Sequence, residues 1–382
     1  MKVKFSDVVR RANTKEDKDN TDKVFYVGGE HIDSNEVLIT KRGIIAGSTI
    51  GPMFYFGFKA GQVLFVSRNP HLRKAGMVDF DGICSEKTFV LETIDENILL
   101  QRYLPFILQS DHFWSYAESN KSGSVNFFIN WSTLAKYEFE LPSIAKQKEL
   151  SDLLWAINDT KLAYRKMLIA TDELVKSQFI ALFGDPSTNP MQWPVKQLSD
   201  IANYFIGLTY HPQDVSDDGI LVLRSGNIQN ARLAFTDNVR VKIAVKEQLL
   251  VHENDILMCS RNGSAALVGK VAKIPKLDEK VTFGAFMTII RSSYSDYLFT
   301  YFQLDDFRRQ ISTSKTATIN QITKAMLDKV SLPIPPMVLQ EQFAAFVQQS
   351  DKSKLLGSTA DFSIKGLSAI LQYTEGRKRQ ES

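Results

Sequence analysis

Short apolar runs broken by turn residues fill the chain from Met1 to about Phe139, and their spacing predicts β-strands. Val24-Phe25-Tyr26-Val27 stops at Gly28-Gly29, and Val63-Leu64-Phe65-Val66 follows Gly61. Within this region Glu96 to Ser119 changes period. Leu99, Leu100, Tyr103, Leu104, Ile107 and Leu108 recur at helical spacing, with a kink or break expected at Pro105. From Lys146 to Phe183 there is no proline or glycine, and Leu150, Leu154, Ile157, Tyr164, Leu168, Val175, Phe179 and Leu182 mark one face. That pattern predicts an amphipathic helix roughly 55 Å long, ended by Gly184-Asp185-Pro186. A second, weaker helix is expected from about Leu339 toward Tyr373, interrupted by Gly357 and Gly366, with a solvated basic tail from Gly376 to Ser382.

The pattern is written twice. Ser67-Arg68-Asn69 returns as Ser260-Arg261-Asn262, an offset of 193 positions. The same register carries Ser6-Asp7 onto Ser199-Asp200, Leu64 onto Leu257, Gly76 onto Gly269, Lys87 onto Lys280, Ile129 onto Ile322, Leu134 onto Leu327, Lys136 onto Lys329, Pro142 onto Pro335 and Gln147 onto Gln340. Gln109-Ser-Asp111-His-Phe113 returns one residue out of step as Gln303-Leu-Asp305-Asp-Phe307. The helix of the first half is echoed from Tyr294 to Ser312. Both halves run through a proline-fixed extended segment into a long helix: Phe139-Glu-Leu-Pro142-Ser-Ile144 matches Leu332-Pro-Ile-Pro335-Pro-Met337. A repeat this long implies two similar modules and pseudo-two-fold symmetry.

Composition refines this picture only slightly. The 382 residues suffice for two cores, and 44% hydrophobic residues with 25 Phe supply the material. A net charge of +3 neither requires nor excludes an anionic partner. Two cysteines at non-equivalent positions, Cys84 and Cys259, make no disulfide framework and suit a reducing cytoplasm. Met1 to Arg11 lacks a signal-peptide core and no apolar run reaches bilayer length, so secretion and membrane insertion are not expected.

Catalytic motifs are not found. No glycine-rich loop ends in Gly-Lys-Ser or Gly-Lys-Thr, Asn189-Pro190 is followed by Met191-Gln192 rather than a Pro-aromatic pair, and the five histidines have no metal-ligand spacing. The expectation is a chain that is not an enzyme and binds no cofactor of its own.

Four features together resemble the specificity subunit of Type I restriction-modification enzymes. They are Leu332-Pro-Ile-Pro-Pro-Met-Val-Leu-Gln340-Glu-Gln342; Ser177-Gln-Phe-Ile-Ala-Leu-Phe-Gly184-Asp185-Pro186 followed by Asn189-Pro190 and Trp193-Pro194; Tyr26-Val-Gly-Gly-Glu-His-Ile32, echoed by Leu223-Arg-Ser-Gly-Asn227-Ile228; and the order of the repeat. The resemblance covers nearly the whole chain. It implies an α+β fold of two mixed α/β target-recognition domains, related by pseudo-two-fold symmetry and separated by two long antiparallel helices. On that plan residues 1–142 form the first recognition domain, 143–185 the central helix, 186–335 the second recognition domain, and 336–382 the second helix and basic tail. Each domain would read one half of a bipartite DNA sequence. Modification subunits, two of them expected, would bind the helices and methylate adenine with S-adenosylmethionine. A restriction subunit, where present, would bring the motor and nuclease with ATP and Mg²⁺.

For DNA contacts the repeated Arg68-Asn69 and Arg261-Asn262 lead, because Arg suits guanine and Asn suits adenine in bidentate bonding. The competing reading gives these repeated residues to phosphate or to a turn after a core strand, since most protein bonds to DNA go to its backbone. Lys41, Arg42, Lys121, Arg224 and Lys315 lie in polar loop sequences. Ser122-Gly-Ser-Val-Asn126 and Thr316-Ala-Thr318-Ile-Asn320 are equivalent loops suited to gripping phosphate. The rival to DNA recognition is a structural adaptor that scaffolds a protein assembly.

Overall fold

A computed structural model describes residues 1–235, 237–312 and 321–358. These fall into two compact units, 1–165 and 166–358. The fold is mixed α/β, with sheets and helices in each unit.

In the first unit a five-stranded sheet has the order Val9–Ala12, Thr88–Thr93, Val63–Val66, Ala75–Val78, Leu38–Ile39. A four-stranded sheet has the order Gly43–Ile44, Phe25–Val27, Gly82–Ser85, Phe54–Phe58. The strand Val63–Val66 is apolar at every position because both its faces are covered. Val63 and Phe65 enter a core with the helices, among Phe5, Phe113, Trp114 and Tyr137. Leu64 and Val66 enter the other core, with Val27, Phe58 and Cys84. In the second unit the strand Ile256–Cys259 divides the same way, Ile256 and Met258 to one core and Leu257 and Cys259 to the other. The alternation is the period-two geometry of a strand.

Each unit closes on itself through one short ladder joining its first and last strands. Lys2, Val3 and Lys4 pair with Glu140, Phe139 and Glu138. Val195, Lys196 and Gln197 pair with Pro333, Leu332 and Ser331, the same register 193 positions later. The amide of Phe5 donates to the carbonyl of Tyr137 at 2.8 Å, and that of Leu198 to Val330 at 2.8 Å. Between these ends the repeat drifts. Gly76 pairs with Leu64, but the residue opposite Leu257 is Ala272, while Gly269 sits before the strand at φ +80°. Ser67 N–H donates to Lys87 O, whereas Ser260 N–H donates to Phe286 O. Gly76 with Gly269 and Lys87 with Lys280 are therefore identities of sequence, not of position. Loops absorb the extra residues, and the 193 register is restored by Ile129 and Ile322.

The helical stretch of the first unit starts later than its apolar spacing suggests. A 3₁₀ turn at Gln101–Tyr103 leads into Leu104–Leu108, and a separate helix spans Asp111–Ser119. Pro105 lies in the first turn of its helix, where its missing N–H costs nothing, so the break falls at Gln109-Ser110 instead. Ser110 starts the next helix by accepting from Phe113 N–H. The echo in the second unit is likewise split, into Ser295–Tyr301 and Asp305–Ser312.

The central helix runs unbroken over Ile144–Phe183, 40 residues or about 60 Å. Leu150 and Leu154 are buried in the core of the first unit, and Phe179 and Phe183 in that of the second. Gly184 follows at φ +78°, and Trp193 Nε1 donates to the Phe183 carbonyl at 3.0 Å, closing the helix end. The second long helix is Met337–Ser358. Its expected continuation to Tyr373 and the basic tail lie outside the described residues.

Candidate nucleic-acid interface

The repeated Ser-Arg-Asn motif stands where the doubly covered strand of each unit leaves its sheet. In the first unit Ser67 is buried and Arg68 is exposed. Asn69 takes the left-handed conformation at φ 50°, which Asn tolerates better than most residues, and Pro70 then turns the chain away. The loop 122–128 packs alongside. Ser122 and Phe128 exchange backbone bonds at 2.7 and 3.0 Å, Asn69 N–H donates to Phe127 O at 2.8 Å, and Ile129 N–H to Ser67 O at 2.9 Å. Gly123 makes the reversal possible at φ +96°. Lys121 lies over the Phe127 ring at 4.4 Å, and Val125 at the loop tip is 83% exposed. Arg68, Asn69, Lys121 and Asn126 are thus brought to one surface. Among the described residues no acceptor holds the Arg68 side chain.

The remaining first-unit candidates stand elsewhere. Lys41 is exposed and paired with Asp33 at 2.7 Å, and the Arg42 guanidinium stacks 4.2 Å from the Phe25 ring and 4.6 Å from that of Phe80. They precede the edge strand Gly43–Ile44 of the four-stranded sheet, whereas Arg68 follows a strand of the five-stranded one.

In the second unit Arg261 donates through Nε and Nη2 to Gln321 Oε1, at 3.2 and 2.8 Å. Its guanidinium lies 5.7 Å from the ring of Phe286, which is 56% exposed. Asn262 is spent on the local fold: Nδ2 donates to Ser225 Oγ at 3.1 Å and Oδ1 accepts from Ser264 N–H at 3.0 Å. The first bond draws the Arg224-Ser225 turn against the motif. Arg224 pairs with Asp237 at 2.7 Å, while its amide donates to the buried Asn227 Oδ1. The corresponding first-unit turn uses His31, whose Nδ1 accepts from Gly28 N–H at 2.9 Å. Lys315, Thr318 and Asn320 lie outside the described residues. A cleft of about 380 Å³ opens beside Arg261, lined also by Tyr204, Ser260, Gln321 and Lys324. The Tyr204 hydroxyl is buried there without a partner among the described residues, and burial pushes its pKa up. Among the described residues no cluster of His, Cys, Asp or Glu suits a metal ion, and no helix is long and apolar enough to cross a membrane.

Gln321, Phe286, Lys324 and Ser225 escaped sequence reasoning. Gln321 could have been found as the residue at the offset of Phe128; Phe286 could not, because the register has slipped there.

Against this geometry, residues 190–358 match the profile of the Type I restriction modification DNA specificity domain. Residues 190–358 are thus similar to the DNA specificity domain of Type I restriction-modification systems. Both Ser260-Arg261-Asn262 and the helix start at Met337 fall inside the matched domain. The Type I restriction enzyme EcoKI specificity subunit of Escherichia coli (strain K12) is 30% identical over 178 residues, 43% of this chain. The StySPI specificity subunit of Salmonella potsdam is 30% identical over an equal length. The match spans 38% of the length of each of these curated relatives. The crystal structure of a Type I restriction-modification S subunit from M. genitalium shares the fold, with TM-score 0.57 at 13% identity over 97% of this chain and 94% of that one.

Proposed function

We propose that this chain is the sequence-reading subunit of a Type I restriction-modification complex. Its two units each contact one half of a bipartite, asymmetric DNA target, and the chain directs adenine methylation by modification subunits. The observation that carries this reading is the doubled motif, Ser67-Arg68-Asn69 beside Ile129 and Ser260-Arg261-Asn262 beside Ile322, set at the end of equivalent strands inside differing surroundings. Like frameworks with unlike neighbours suit two half-sites of different sequence.

On this reading the units are related by pseudo-two-fold symmetry, the two long helices run antiparallel as a coiled-coil-like spacer, and their length sets the distance between half-sites. Exposed apolar residues on the central helix, Ile169 at 65% and Leu174 at 53%, suit docking of the modification subunits, of which two are expected. Those subunits would supply S-adenosylmethionine chemistry, and a restriction subunit, where present, ATP- and Mg²⁺-dependent cleavage. The chain itself contributes recognition and no catalysis.

The test is single-molecule sequencing of methylated bases in cells expressing the chain with its modification subunits, against a deletion of the chain. Methyladenine in a split motif that disappears with the chain supports the reading. Methylation unaltered by the deletion, with both proteins expressed and associated, overturns it.

A further inference from the structure

The repeated arginine is built for different work in the two units. At Arg261 the guanidinium is gripped along one edge by a neutral amide, Gln321 Oε1, and flanked by the Phe286 ring. Phe286 is itself fixed there, since its carbonyl accepts from both Ser260 N–H at 2.9 Å and Arg261 N–H at 3.0 Å. At Arg68 both supports are missing: Phe128 occupies the position of Gln321 in the equivalent backbone bridge, and Lys87 supplies the carbonyl that Phe286 supplies. Where Phe286 brings an aromatic face, Lys87 has an aliphatic stem whose ammonium pairs with Glu86 at 2.6 Å.

A contact with phosphate needs charge near an oxygen and little orientation. A bidentate contact with a base edge needs the plane and roll of the guanidinium fixed beforehand, because the ordering of a long side chain otherwise opposes binding. Gln321 supplies that fixing without neutralising the charge, as a carboxylate would. It uses Nε and Nη2, and the Nη1 side meets no other acceptor among the described residues.

We propose that Gln321 is a positioning residue that presets Arg261 to read a single guanine in the second half-site, while Arg68 serves the DNA backbone. This rests on the DNA-recognition reading above. The test is the methylated motif of cells expressing the full chain, with its modification subunits, as wild type, Gln321→Leu, Gln321→Glu, Arg261→Lys and Arg68→Lys.

Gln321→Leu and Arg261→Lys are each expected to lower discrimination for guanine at one position of the second half by roughly fivefold or more, the rest of the motif being kept. Gln321→Glu retains an acceptor and retains that guanine. Arg68→Lys changes no position. A motif unchanged by Gln321→Leu, or an Arg261→Lys variant that methylates every site less with no position relaxed, overturns the proposal. In either case the wild-type split motif still stands. If instead wild-type methylation does not depend on the chain, the recognition reading falls and this one with it.

Discussion

Ile129 donates its amide to the carbonyl of Ser67 at 2.9 Å, and by this bond the segment after the exposed loop 122–128 is stitched to the strand end that presents Arg68. The identical bond joins Ile322 to Ser260 at 2.7 Å. Both isoleucines are buried, so a core contact far along the chain determines where the polar motif stands. The surface follows from the packing beneath it.

Removing the Arg68 charge tests the phosphate role. Arg68→Ala is expected to weaken DNA binding by a similar factor for all sequences, and to reduce the slope of log affinity against log salt by about 1. Titration of specific and scrambled duplexes at several salt concentrations checks this. A loss confined to one sequence would speak for base reading instead.

Gly123→Ala should open the loop that carries Asn126. At φ +96° an L side chain is strained, and its Cβ would stand 2.6 Å from the Asn126 carbonyl oxygen. The strain is about 1–2 kcal/mol, local to a surface loop. DNA affinity should therefore drop while the midpoint of global unfolding scarcely moves, a split visible when binding and denaturation are measured on one preparation.

Gln147 and Gln340 lock the entries to the two long helices. Gln147 is fully buried, donates to Ile98 O and Pro142 O at 2.9 Å each, and accepts from Leu100 N–H at 3.0 Å; Gln340 donates to Pro335 O at 2.7 Å. Gln147→Ala leaves three backbone groups unsatisfied and should cost about 3 kcal/mol, against about 1 kcal/mol for Gln340→Ala. Urea unfolding followed by tryptophan fluorescence resolves the difference, since Trp114, Trp131 and Trp155 report the first unit and Trp193 the second.

Asp185 gives acid sensitivity to the end of the central helix. The Ser187 hydroxyl at 2.7 Å and the Ser187 amide at 2.8 Å both donate to its Oδ1, holding its pKa below the ordinary carboxylate value. A depressed folded-state pKa means stability that is present above the unfolded pKa of about 4 and lost as pH falls through the folded value. Stability of Asp185→Asn should be lower at neutral pH and should fall less steeply than wild type between about pH 5 and 3. Parallel slopes in acid unfolding would remove Asp185 from this role.

Much of the architecture was legible along the chain, for reasons visible in single elements. The central helix appears at Ile144–Phe183 because nothing between Lys146 and Phe183 interrupts a helical face. The break in Glu96–Ser119 was legible but misplaced, since the proline rule depends on whether Pro105 lies inside a helix or in its first turn, and only the neighbouring Ser110 cap settles that. Of the proposed contacts, Arg68, Asn69, Lys121 and Asn126 come together, whereas Arg42 packs on aromatic rings and Asn262 is used up by Ser225 and Ser264. Residue type marks a side chain as able to meet DNA; it does not say whether the protein already occupies it.

The repeat, the strand and helix periods, and the proline-bounded entries to the helices were determined by the sequence itself, because each depends on residues near one another along the chain. What the tertiary structure alone decided was the pairing across long intervals: that Gln321 lies against Arg261 as Phe128 lies against Arg68, and that Phe286 rather than Lys280 succeeds Lys87 in the second unit. Loops of unequal length shift the count between halves without shifting the core, so positions that correspond in space are matched by buried contacts and backbone bonds, and a fixed offset along the chain loses those that lie between such loops, Lys87 and Phe286 among them.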